Sequence, residues 1–146
     1  MTRLRRFVRL APGERPLVVS AIACLGFVQT ALAVLPWRMA RAVIAVGVRV
    51  WPATLDEESR IVWAVRAAST VLPRTTCLAR ALTLQTLLAR HGFGSTIAIG
   101  VTRDANGALV SHAWVERHGV PLVETAAAVA GYTRVPIDGP DQRFLR

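Results

Sequence analysis

Two cysteines, three histidines and nine carboxylates are spread along 146 residues, and few stand where they can act together. Cys77 is the exception. Pro73-Arg74-Thr75-Thr76 precedes it, and Leu78, Ala81, Leu82, Leu84, Gln85, Leu87 and Leu88 follow at helical spacing up to His91-Gly92. Thr75 or Thr76 can cap such a helix, and Gly92 can stop it. A thiol in the first turn then sits among unpaired backbone N–H groups at the positive end of the helix dipole. Both favour the thiolate, the form that attacks a carbonyl. The same N–H groups can hold the oxyanion that forms during acyl transfer. Without a base, however, Cys77 would be an ordinary thiol on a core helix.

A thiolate nucleophile needs a base for its proton and a third group that orients the base. Residues 95–101 alternate as a strand, Asp104-Ala105-Asn106-Gly107 is a turn, and residues 109–116 form a second strand. On that strand Val110, His112, Trp114 and Glu116 share one face, and Ser111, Ala113 and Val115 the other. Arg117-His118-Gly119 turns the chain into a third strand over residues 120–124. A three-residue loop with Gly119 left-handed pairs Glu116 with Val120 and His112 with Glu124, Cβ atoms about 4.5–5.5 Å apart. A two-residue loop would send Glu124 to the face opposite His112, so the assignment depends on the turn. Glu116 lies ~13 Å along the strand from His112, beyond direct contact. Asp138 is a weaker alternative orienter from the tail. The expected constellation is Cys77 as nucleophile, His112 as base and Glu124 as orienter. Trp114 reads as a core aromatic and Cys24 as a small buried hydrophobe. His91 and His118 receive no role.

The elements ahead of Cys77 are helical. Residues 17–36 carry no charge, a run of about 20 that is just long enough to span a bilayer. A membrane helix, a signal peptide ending near Ala31-Leu32-Ala33, and a buried helix starting after Pro16 compete for it. Pro12, Gly13, Glu14 and Pro16 spoil the signal region, and Ser20, Gln29 and Thr30 weaken the membrane span, so the buried helix is preferred. Residues 37–49 show helical spacing, with Met39, Val43, Val46 and Val50 set among Arg38, Arg41 and Arg49. After Pro52, Thr54 or Asp56 can cap a third helix whose core face is Ile61, Val62, Val65 and Leu72. The fold class is therefore α+β, with a helical region over residues 1–72 and a core over residues 73–146 in which the Cys77 helix packs on a small antiparallel sheet.

A chain of this length buries roughly 70% of its unfolded surface and needs no disulfide or metal to fold. Two cysteines without CxxC or Cys/His clustering give no disulfide framework and no metal-ligand spacing, and point to reduced thiols in the cytoplasm. Apolar residues make up 53% of the chain, with the excess in the N-terminal third, where a partner protein or a membrane is expected to cover a surface. The net charge is +9, and all of the positively charged side chains are arginines. Only Arg3, Arg5, Arg6 and Arg9 cluster tightly, as a solvated arm, and no nucleic-acid partner is expected.

The strings Cys77-Leu78-x-Arg80-Ala81-Leu82-x-Leu84-Gln85-x-Leu87-Leu88-x-Arg90-x-Gly92, Ile99-Gly100-Val101 and His112-Ala113-Trp114-Val115-Glu116 resemble lasso peptide biosynthesis B2 proteins, members of the transglutaminase-like, papain-related superfamily. The likeness covers residues 73–125, and the apolar N-terminal helices are also similar. It implies a leader peptidase that trims a ribosomally made precursor peptide so that a partner cyclase can close the macrolactam. It places nucleophile and base on Cys77 and His112. The third position, usually Asp, falls on Glu124. No metal or organic cofactor is implied, and any ATP requirement belongs to the cyclase. Single-chain relatives carry a leader-recognition domain ahead of the peptidase. This chain resembles the split form, which relies on a separate small leader-binding protein. An amide-forming acyltransferase with the same triad, a non-catalytic scaffold and a membrane-associated protein are the alternatives.

Overall fold

The computed structural model describes residues 14–49 and 57–136. The basic arm, the expected caps Thr54 and Asp56, and Asp138 lie outside the described residues. Helix α1 spans Arg15–Val34, with Pro16 in its first turn, where a missing N–H costs little. Leu17, Val18, Ala21, Cys24, Leu25, Val28 and Ala31 form its buried stripe at helical spacing. Helix α2 spans Trp37–Arg49 and, among the residues whose side chains are described, buries Ala40 and Ile44 and leaves Trp37, Met39, Val43 and Val46 exposed. Helix α3, Glu58–Val71, has Glu58 in its first turn and buries Ile61, Ala64, Val65 and Ala68. Helix α4, Cys77–Arg90, is the most deeply buried of these, with every residue from Ala81 to Leu88 inside.

Although α1 is long and apolar enough to cross a membrane by length and composition, its buried stripe packs on α3 and α4. One apolar core runs through all four helices and reaches Ala113 and Val115 of the sheet. It therefore crosses the expected division at residue 72. The turn between α3 and α4 is tied to α1 by Gln29 Nε2, which donates to the Arg74 carbonyl at 3.2 Å.

The sheet consists of β1 (Thr96–Arg103), β2 (Leu109–Arg117), β3 (Val120–Pro121) and β4 (Thr133–Val135). All pairs are antiparallel, in the order β3-β2-β1-β4. The β1–β2 register runs from Thr96 opposite Glu116 to Arg103 opposite Leu109. The connecting loop closes on Asp104, whose Oδ1 accepts from the N–H groups of Asn106 and Ala108, while Gly107 takes the left-handed conformation. Ala113 and Val115 enter the helical core, and partly buried Ile97 and Ile99 pack against it. His112, Trp114 and Glu116 occupy the other face of β2, as the alternation of the strand requires. The fold is α+β, a helical bundle packed on a four-stranded antiparallel sheet.

The β2–β3 connection differs from expectation. His118 and Gly119 both have positive φ, 52° and 78°, and the pairing is Glu116 with Pro121 and Arg117 with Val120. This is a two-residue hairpin loop of the primed kind, whose twist matches that of the flanking strands. Only two residues of the expected 120–124 strand pair. Pro121 has no N–H to donate, and after the Leu122 N–H reaches the Val115 carbonyl at 3.0 Å the chain bends away. Thr125 then caps a short helix α5, Ala126–Ala130, by accepting from the Ala128 N–H at 3.2 Å.

Candidate active site

Cys77 is the first residue of α4. Of the two threonines before it, Thr76 is the cap, accepting from the Ala79 N–H at 3.1 Å. The thiol is partly buried and packs against the edge of the apolar core. Arg80 follows one helical turn later. Its guanidinium donates to Glu124 Oε1, and that same oxygen lies 3.3 Å from His112 Nε2. Side-chain exposures of 28%, 11% and 22% for Arg80, Glu124 and His112 make this a largely desolvated cluster, in which charged hydrogen bonds are stronger than in water.

The contact between His112 and Glu124 arises by a route other than strand pairing. Continuing the observed β2–β3 register would bring Glu124 opposite Ala113, on the wrong face. Because pairing stops at Pro121, the bend at residues 122–124 frees Glu124 from the alternation and lets its side chain reach the imidazole. Among the described residues no hydrogen bond joins Cys77 to His112. The connection between the Cys77 helix and His112 runs through Arg80 and Glu124.

Two aromatic rings frame His112. Trp114 lies near-parallel to it, with centroids 6.0 Å apart and planes 18° apart, and Tyr132 lies at 5.6 Å and 39°. Gly100, opposite His112 on β1, makes room for the Trp114 ring and the Tyr132 Cβ. A Cβ there would fall 2.7 Å from Tyr132 Cβ and 2.9 Å from Trp114 Cη2. Trp114 is 1% exposed, a core aromatic as expected, and its Nε1 donates to Glu116 Oε1 at 2.7 Å. Arg134 holds the same buried carboxylate with two bonds of 2.6 and 2.9 Å. Glu116 thus fastens Trp114 and β4 to the sheet.

A carboxylate can only accept, so the Glu124 contact calls for an N–H at His112 Nε2 and leaves the Nδ1 lone pair as the basic site. A thiol at a helix start, an imidazole held in one tautomer and a desolvated carboxylate are the parts of cysteine-based acyl transfer. The other thiol is different. Burial pushes Cys24 up to about 11, against a smaller opposing influence of Arg90, so it stays protonated at neutral pH. His91 Nδ1 lies 2.7 Å from the Leu87 carbonyl at the far end of α4, and His118 lies in the hairpin turn. No cluster of three or more His, Cys, Asp or Glu suited to a metal occurs among the described residues.

Arg80, Gly100 and Tyr132 received no role from the sequence. Arg80 had a usable signal, since position i+3 from Cys77 lies on the same helix face. Tyr132 had none, because α5 and β4 are too short to show a period.

The family profile described as the transglutaminase-like superfamily matches residues 21–136, from within α1 to just past β4. This chain belongs to the transglutaminase-like superfamily, whose members share a papain-like fold and are usually cysteine-based enzymes. No curated protein and no solved structure matches it.

Proposed function

We propose that this protein is a cysteine peptidase that removes the leader from a ribosomally synthesised precursor peptide in lasso peptide biosynthesis. Cys77 is the nucleophile, His112 the base and Glu124 its orienter. The observation that carries this is the His112 Nε2–Glu124 Oε1 contact, in a cluster that Arg80 ties to the helix headed by Cys77. The helix cap at Thr76 and the superfamily match support it.

His112 Nδ1 takes the Cys77 proton. The thiolate attacks the carbonyl that joins leader to core, and first-turn N–H groups stabilise the oxyanion. His112 returns the proton to the departing core amine, and the leader remains as a thioester on Cys77. Water, deprotonated by the same imidazole, hydrolyses the thioester and frees the leader acid. The reaction takes place in the cytoplasm. A separate leader-binding protein presents the substrate and docks on the exposed apolar residues of α2, and the cyclase consumes the core.

The test is incubation of precursor peptide with this protein and the leader-binding partner, read by mass spectrometry. Wild type should yield leader with a free carboxylate, and Cys77→Ala should be slower by at least about 10³-fold, as expected when a nucleophile is removed. Cleavage undiminished in Cys77→Ala would end the reading, and leader joined to an added amine would make the protein an acyltransferase.

A further inference from the structure

We infer that Arg80 is a positioning residue, the strut that ties the Cys77 helix to the carboxylate that orients His112. This rests on the peptidase reading proposed above and extends it to a fourth side chain. Glu124 is held unevenly. Its Oε1 accepts from both Arg80 and His112, whereas its Oε2 is buried and has no hydrogen-bond partner among the described residues. No strand pairing fixes Glu124, which lies in a bend beyond the last strand pair. Without Arg80, a three-torsion side chain would be fixed by one 3.3 Å contact, and a desolvated carboxylate would lose its cation. Arg80 is therefore what makes a long, bend-borne glutamate serviceable as orienter. Because Arg80 sits one turn from Cys77 on a rigid helix, it also sets the carboxylate, and through it the imidazole, in the frame of the nucleophile.

Iodoacetamide is the probe, with alkylation of Cys77 followed by peptide mass spectrometry and normalised to the folded fraction seen by circular dichroism. Four proteins are compared: wild type, His112→Ala, Arg80→Met and Arg80→Lys. Methionine keeps the apolar stem and removes the charge, and lysine keeps one donor. Arg80→Met should slow Cys77 alkylation about tenfold, and Arg80→Lys should recover to within about threefold of wild type, the scale expected when a reacting group loses its alignment. The nitrogen spectrum of the His112 imidazole should show the Nε2–H tautomer in wild type and Arg80→Lys, and a mixture in Arg80→Met. If His112→Ala slows alkylation but Arg80→Met matches wild type in rate and tautomer, the strut is wrong and the peptidase reading stands. If His112→Ala leaves the rate unchanged, the peptidase reading itself fails, and the strut with it.

Discussion

Cys24 and Cys77 differ in surroundings more than in chemistry. Cys24 lies on the buried stripe of α1, and desolvation carries its thiol from an ordinary 9.0 up to about 11. Between those values the unfolded chain releases a proton that the folded chain keeps. Stability from this group is therefore complete below about pH 9 and is lost as the pH rises toward 11, by up to about 3 kcal/mol. Urea unfolding at about pH 8 and about pH 10 should show about half of this loss in wild type and its absence in Cys24→Ala. Equal pH dependence in both would remove Cys24 as its source. At this scale the sequence told the two thiols apart, because a helix start after Thr76 and an uninterrupted apolar run are local signals. The partner of Glu124 was less accessible. Glu124 does meet His112, but through a bend that no alternation rule anticipates, and Arg80 completes the contact from another element.

At the scale of elements, the β1–β2 hairpin and its closing turn followed from the alternation and the Asn-Gly pair, and α4 ends where Gly92 adopts φ 79°. The β2–β3 hairpin did not follow, because His118 entered the left-handed region beside Gly119 and shifted the register by one residue. Histidine tolerates that region better than most residues, so the turn could not be read from Gly119 alone. Gly100 shows how close the sheet comes to the site residues. Gly100→Ala would set a methyl against the Tyr132 Cβ and the rigid Trp114 ring, and overpacking of this kind costs about 1–3 kcal/mol. The rings that give way flank His112, so activity should fall together with the thermal midpoint. An alanine variant with wild-type midpoint and activity would show that the aromatic pair adjusts freely.

For the whole molecule, the helical N-terminal region and the sheet-bearing remainder are joined by one apolar core, so the frame that holds Cys77 includes α1 and α3. Composition indicated that this region was unusually apolar. It could not say that one stripe of α1 would be consumed inside while Met39, Val43 and Val46 of α2 remained outside, since that division depends on which helices pack together. In the proposed function, this frame sets the thiol at the start of α4 to work with the imidazole on β2. The most direct measurement is intact-mass analysis of acid-quenched turnover with precursor peptide and the leader-binding partner. A hydroxylamine-sensitive leader adduct on Cys77 should accumulate transiently in wild type and be absent from Cys77→Ala and His112→Ala. Turnover without any adduct on Cys77, or an adduct that forms as fast in His112→Ala, would contradict the account.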